Sequence, residues 1–429
     1  MNAAPRAHFI VWMIVGVALV LASGACGGGG SSEANATTDG STSVGDATAS
    51  PGLEAAPDAA PDATSSEVSD GPTTTPGDGP SDAAPTTRDP FAQPFASTSI
   101  WNMPIGSGAA YVPASIKPAT GTSLEADDDV IVLTPTAPST DIYINTADWD
   151  PTKSRCAVEG ALLFAAPMPS DFVVPDPMQQ TPNSGLAVLL EDSRTIKQTQ
   201  PFARCTAGQS GTSHYDSADE DLYGPGIGGA HGGSGLSAIG GTLRLGELRP
   251  NGSPPHHVLK FELYAADNYY NDGQQADCSR WPASGCDGYF NTSGNALKYG
   301  GTNPALRPGS LLALSTSVAI ASLGLKTTPA QLIAWTLQNY GAYLVDDTAW
   351  SAYAVCVENG AAGSFETQFQ SDWGFSIDTA GTTGDFAQDM QKLVSALSVV
   401  NNNVASTVGG GGTPLQPLAP PLPLPLGDP

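Results

Sequence analysis

Positive charge is what this chain lacks most. Charged residues make up only 14% of its 429 residues, and 16 Lys and Arg stand against 42 Asp and Glu. A formal net charge of −26 leaves no surplus of cations to grip a phosphate backbone, which argues against nucleic acid as a partner. Long stretches free of helix breakers are also missing. With 49 Gly and 37 Pro, about a fifth of the chain, neither a coiled coil nor a helical bundle fits. After residue 26 no apolar run approaches the roughly 20 residues of a membrane-spanning helix. Histidine is scarce as well: His8 lies near the start, leaving His214, His231, His256 and His257.

The beginning of the chain reads as an export signal over residues 1–26. Arg6 supplies a positive start and Phe9–Ala22 is an apolar run of 14, a length that suits a signal sequence better than a bilayer span. The run ends in Ser23-Gly24-Ala25-Cys26 followed by four glycines, which resembles the lipobox of bacterial lipoproteins, with Ser23 in place of the usual Leu. That resemblance implies lipidation of Cys26 and a membrane contact through the lipid alone. The alternative is a plain secretory signal with an incidental Cys. Residues 27–88, rich in Gly, Ser, Ala, Thr, Pro and acids, form a tether with almost nothing to build a core. Residues 409–429 are Gly-rich and then Pro-rich, and read as an extended, exposed, disordered tail or a peptide for a polyproline-binding partner. Residues 89–408 remain as one globular domain, long enough to bury a substantial core.

Five cysteines lie in that domain, and an exported context permits disulfides. Cys278 and Cys286 flank a short loop and are the expected pair. Cys156 with Cys205 is the second pairing adopted, which leaves Cys356 free in an apolar stretch. The Cys and His spacings are too wide for a recognisable zinc motif, so no metal ligands are assigned. Acid-dense segments at Asp216–Asp221 and Glu125–Asp129 leave Ca²⁺ as the one cofactor to consider, although solvated acidic loops are the simpler reading.

Short apolar or alternating runs recur at Val130–Leu133, Asp141–Asn145, Ala161–Ala165, Leu186–Glu191, Gly241–Leu248 and His257–Tyr264, bounded by turn residues. They predict a mainly β domain, an antiparallel sandwich or jelly roll. Two or three helices should pack on it near the C-terminal end. Thr328-Pro329-Ala330-Gln331 reads as a capping box opening a helix, with Ile333, Leu337 and Tyr340 on its buried face. Gly341 ends it, and Ala342–Asp346 reads as a strand. A second helix is expected over Asp385–Asn401 and a short third over Ser364–Trp373.

The chemistry-bearing residues cluster loosely. His231 sits in a Gly-rich run, Gly224 to Gly235, where backbone can approach a ligand closely. If Gly241–Leu248 and His257–Tyr264 are neighbouring strands, Glu247 and His257 meet, either as a proton-transfer pair or as a structural one. Arg244 could clamp a substrate carboxylate. Tyr264, Tyr269, Tyr270, Trp281 and Tyr289 stand beside Asn and Asp, a mixture suited to stacking on sugar rings as well as to packing. Tyr269, Tyr270 and Trp281, with His231, are the candidate substrate contacts.

Four blocks in order carry a second resemblance. They are Phe95–Pro104 (FASTSIWNMP), Ser234–Glu247 (SGLSAIGGTLRLGE), His257–Phe261 (HVLKF) and Leu337–Thr348 (LQNYGAYLVDDT). Together they are similar to a family of secreted bacterial domains of unsettled function. Gly246 stands where the family usually has an acid, and His256-His257 where it has a single His. The resemblance implies an extracellular or cell-envelope role, at the outer membrane or cell surface. It singles out Arg244, Glu247, His257, Tyr340 and Asp346 as the candidate catalytic set. The expected function is action on polysaccharide. Glu247 and Asp346 would be the acid and base of a hydrolase, or His257 or Tyr340 a lyase base with Arg244 on a uronate. The alternatives are a noncatalytic glycan-binding or adhesion module and a structural envelope lipoprotein.

Overall fold

In the computed structural model, residues 87–150, 152–176, 183–274 and 278–423 are described. The export signal, Cys26 and almost all of the tether lie outside the described residues.

Among the described residues, sixteen strands and four helices alternate irregularly. The strands are β1 (Tyr111–Pro113), β2 (Thr122–Val132), β3 (Ser139–Ile144), β4 (Leu162–Pro167), β5 (Gly185–Leu189), β6 (Thr195–Gln200), β7 (Gly211–Ser213) and β8 (Tyr215–Asp216). They continue with β9 (Glu220–Asp221), β10 (Gly228–His231), β11 (Leu259–Leu263), β12 (Leu311–Ala313), β13 (Ala342–Asp347), β14 (Ala352–Gly360), β15 (Gly363–Ser364) and β16 (Ser398–Val400). The helices are the single turn α1 (Ala265–Asn268), α2 (Thr328–Asn339), α3 (Phe365–Trp373) and α4 (Asp385–Ser395).

The chain is mainly β, in two sheets. The large one runs β1-β16-β12-β13-β11-β14-β2-β5-β6-β8, with β15 on β14 and β9 on β6, and a small sheet runs β4-β3-β7. The expectation of an antiparallel arrangement is corrected at its centre, because β13/β11, β14/β2 and β2/β5 are parallel pairs. Central strands buried on both faces read as continuous apolar runs, so alternation alone could not reveal their direction. Residues 241–248 are not a strand either, making only an isolated bridge from Leu243 to Val357.

One face of the large sheet packs Leu124, Phe261, Leu344, Val355 and Val357 under α2, α3 and α4. Phe369 of α3 meets the rings of Phe365, Trp373, Phe375 and Phe386. The opposite face buries Ile131, Ala187, Tyr343, Val345 and Cys356 under Trp101 and the loop containing Ile239. Trp101 donates its indole N–H to the Gly226 carbonyl at 2.6 Å and meets Tyr343 edge-on.

Helix α3 starts as its sequence suggests, with the Ser364 hydroxyl accepting from the Thr367 N–H. The capping box at Thr328 does not form. Thr327 is the residue before the helix, and Asp389 of α4 takes the Lys326 and Thr327 N–H groups instead, both at 2.7 Å. Helix α4 stops at Ser395, and Val399 and Val400 extend the apolar stripe as part of β16. The expected tail is ordered through residue 423. The Gly106 and Gly108 N–H groups donate to Gly409 and Gly411, and Leu415 N–H to Ile105, while the Arg88 N–H reaches Pro421.

Disulfides join Cys156 to Cys205 and Cys278 to Cys286, and Cys356 is a buried free thiol. Two disulfides point to an oxidising, exported environment. Among the described residues no helix is long and apolar enough to cross a membrane.

The aromatic cluster under α3 sets a stability test. Phe369→Ala should lower the unfolding free energy by about 3–5 kcal/mol, read from denaturant melts. A loss under about 1 kcal/mol would mean that the helical layer contributes little.

Candidate functional site

The centre of the large sheet carries a polar row on its otherwise apolar face. Strand alternation puts Asp127 and Asp129 of β2 on one side, and likewise Lys260 and Glu262 of β11. Cys356 of β14 pairs with Asp127. The segment Glu125–Asp129, expected as an acidic loop, is therefore strand, with two of its carboxylates turned inward. Against this row the Gly-rich loop lowers His231, which is completely buried.

The His231 ring is held from both sides. Its Nδ1 lies 3.0 Å from Asp129 Oδ1 and its Nε2 3.1 Å from Glu262 Oε1. Asp129 Oδ2 also accepts from Lys260 Nζ at 2.7 Å and from the Thr242 hydroxyl at 2.6 Å. Cys356 Sγ is 3.3 Å and Asp127 Oδ2 3.7 Å from His231 Nε2. Burial and the Lys260 ammonium oppose a charged ring, but Asp129 and Glu262 outweigh them and push its pKa up to about 9. Burial acts on Asp129 as well, yet Lys260 and His231 hold it below the ordinary carboxylate range. At Asp127 and Glu262 burial outweighs the pull of His231, and both are raised.

A second group of carboxyls adjoins the first through Asn183. Its amide donates to Asp127 at 3.3 Å and to Asp346 at 2.6 Å. The register between β11 and β13 shifts so that Phe261 faces Leu344 while Glu262 faces Asp346, skipping Val345. This irregularity puts Asp346 beside Glu262, where strict alternation would have turned it to the helical face. Asp346 Oδ1 accepts from the Gly233 and Asp347 N–H groups at 3.2 and 2.9 Å. Burial nonetheless raises Asp346 to about 7, against those two donors and with help from Asp127. Asp287, hydrogen-bonded to Asp346, also rises to about 7, through burial and then the Asp346 charge. Tyr289 donates to Asp347 at 3.0 Å.

The loop's glycines have a local cause. A Cβ on Gly232 would fall 2.2 Å from the Asp346 carboxyl carbon, and one on Gly233 2.5 Å from Asp287 Oδ1. Gly232 also has φ of +53°. The close approach foreseen for this loop is made by the protein's own carboxyls.

The sequence-derived catalytic set divides. Glu247 and His257 do meet, at 3.0 and 3.1 Å, and Glu247 also accepts from the Arg244 N–H. The Arg244 side chain is committed to Glu358 at 2.8 Å. His257 and Asp346 lie at opposite ends of the parallel pair β11 and β13, roughly 15 Å apart along the strand. Glu247 and Asp346 therefore cannot flank one bond. Tyr340 is buried between His256 and Trp335, and burial raises its hydroxyl to about 12, so a role as base is not supported.

The expected substrate contacts scatter. His231 and Tyr269 are fully buried, and Tyr269 packs on Tyr299. Tyr270 lies under the Arg307 guanidinium, and Trp281 packs against the core. Nor is there a calcium cradle at 216–221: Asp216 and Asp219 pair with Lys197, Asp221 with Arg194, and Glu220 accepts from Gly228. The residues that sequence reasoning missed are Asp127, Asp129, Asn183, Lys260, Glu262, Asp287 and exposed Trp350. The only local signal was the double glycine after His231. No family model, curated protein or solved structure matches this chain.

The Glu247–His257 pair has a testable pH dependence. His257 Nδ1 donates to the Val258 carbonyl at 2.8 Å, so both ring nitrogens face acceptors. Burial opposes the cation, but Glu247 outweighs burial and nearby Arg244, so the pKa is raised. A raised folded pKa means that the pair's contribution is complete below the unfolded value near 6.5. It is lost as pH rises through the folded value. Glu247→Gln should cost about 1.5–3 kcal/mol at pH 5.5 and clearly less at pH 9, measured by denaturant melts. A cost independent of pH would mean that His257 is neutral.

Proposed function

We propose that the protein is an exported hydrolase acting on polysaccharide, with Asp346 and Asp287 as its proton-transferring pair. The observation that carries this reading is two adjoining carboxyls, hydrogen-bonded to each other and titrating near neutrality, against a glycine-only stretch of backbone. Like charges this close do not both ionise readily, so the pair tends to hold one proton at neutral pH. The attacking water approaches the anomeric carbon from the opposite face of the sugar, away from this pair. The protonated member can give its proton to the departing glycosidic oxygen. Hydrogen-bonded carboxyls are closer than the roughly 5 Å or more that separate carboxyls flanking a scissile bond, so the pair shares one proton and serves as the general acid toward the departing oxygen.

Support for a sugar substrate comes from Trp350, 48% exposed, whose indole N–H donates to Glu125 at 3.0 Å. Glu125 and Asp127 project from the same face of β2, which links the ring to the carboxyl cluster, where half-buried Asn183 donates to Asp127 and half-buried Tyr289 to Asp347. An exposed aromatic face with an amide nearby suits stacking on a sugar and hydrogen bonding to its hydroxyls. The two disulfides favour export, and the Ser-Gly-Ala-Cys26 stretch favours a lipid anchor that places the domain at the cell envelope.

Incubating the full chain with neutral and acidic polysaccharides should release new reducing ends. Asp346→Asn and Asp287→Asn should each lower kcat at least about 100-fold, while Trp350→Ala raises KM. Glycan binding without product would instead identify a binding module, and neither binding nor product a structural envelope protein. Cys26→Ser should release the protein from the membrane fraction. Retention of that variant would rule out the lipid anchor.

A further inference from the structure

Behind the proposed proton-transferring pair lies a donor set that the hydrolase reading does not use. Asp127, His231, Glu262 and Cys356 each bring one ligand atom, and these atoms all lie within 4.8 Å of one another. We propose that these four side chains hold one zinc-class divalent ion tetrahedrally, as a clamp across β2, β11, β14 and the His231 loop. The proposal does not rest on the substrate reading.

Geometry is the first argument. Zinc bonds of about 2.0–2.3 Å to N, O and S imply tetrahedral donor–donor edges of about 3.3–3.8 Å. The separations here are 3.1 Å for His231–Glu262, 3.3 Å for His231–Cys356, 3.6 Å for Cys356–Glu262 and 3.7 Å for His231–Asp127. Four of the six edges thus already lie near that range, and the other two are within 4.8 Å. Small shifts suffice to admit the ion.

The outer shell is the second argument. A histidine that binds metal through one nitrogen usually donates its other N–H to a carboxylate, which fixes the tautomer and aims the ring. His231 presents Nε2 to the donor set and Nδ1 to Asp129, and Asp129 is itself secured by Lys260 and Thr242. Lys260 is fully buried and balances the outer carboxylate, leaving two carboxylates and a thiol to balance an ion.

The donor types choose the metal class. One thiol, one imidazole and two carboxylates suit zinc, whereas Ca²⁺ and Mg²⁺ take oxygen ligands in higher number. Four protein donors leave no open position, so the ion would be structural. Asp127, 8% exposed, is the donor nearest solvent and the point of entry.

The test uses the full chain, stripped with chelator and reloaded with zinc or with cobalt(II). One equivalent of zinc should bind, raising Tm by roughly 5 °C at a hundredfold excess over Kd. The cobalt form should show tetrahedral ligand-field absorption and a thiolate-to-cobalt charge-transfer band. Cys356→Ser should abolish that band, and Asp127→Asn, at the solvent edge, should weaken affinity at least about tenfold. Binding of less than about a tenth of an equivalent by the folded protein would overturn the proposal and leave a proton-filled hydrogen-bond network. A cobalt spectrum unchanged by Cys356→Ser would overturn it too. Neither readout depends on any polysaccharide being turned over.

Discussion

A fully buried histidine ring held among ionisable side chains in the middle of a sheet is the constraint around which this protein is organised. His231 has no contact with solvent, and a buried cation costs several kcal/mol unless it is paired. Asp129 on one side and Glu262 on the other supply that pairing, and Lys260 in turn balances Asp129. Removing Asp129 would leave Lys260 buried without its ion-pair partner. The row is held by these mutual contacts, which explains why four ionisable side chains tolerate a setting otherwise filled by Ile131, Val345 and Trp101.

Several local features follow from that unit. The loop carrying His231 has to bring its backbone against the sheet, and the carboxyls of Asp346 and Asp287 fill the space that side chains at 232 and 233 would need. The register shift opposite Glu262 turns Asp346 toward the same cluster. Asn183 then joins the two carboxyl groups by donating to both. The site is thus assembled from seven separate stretches of chain, around residues 127, 183, 231, 260, 287, 346 and 356, each contributing one or two groups, and the parallel central strands hold several of those stretches in register.

At the other end of β11, Glu247 and His257 form a compact pair tied to the backbone at Arg244 and Val258. The Arg244–Glu358 bridge and the Trp373 indole, which donates to the Leu248 carbonyl, fasten this corner to β14 and α3. With every polar group there already engaged by the protein, the corner is better suited to holding the irregular 241–258 segment than to chemistry. Carboxyls outnumber their cationic partners instead around Asp127, Glu262, Asp346 and Asp287.

What the sequence by itself determined is what depends on neighbours along the chain. The β-rich class, the helix at Phe365–Trp373, the strand after Gly341 and the short Cys278–Cys286 loop all arise from spacing, turn residues and alternation over a few positions. The tertiary structure alone decided strand direction, because a strand buried on both faces has the same apolar pattern whichever way its neighbour runs. It alone decided that the acids at 127 and 129 point inward, since acidic runs ordinarily stay solvated unless distant cations meet them. It also decided the side on which Asp346 lies, because a one-residue register shift reverses a side chain and leaves no mark in composition. Positions 127, 231, 262 and 356 become neighbours only when parallel strands are laid side by side, and no local spacing encodes that contact.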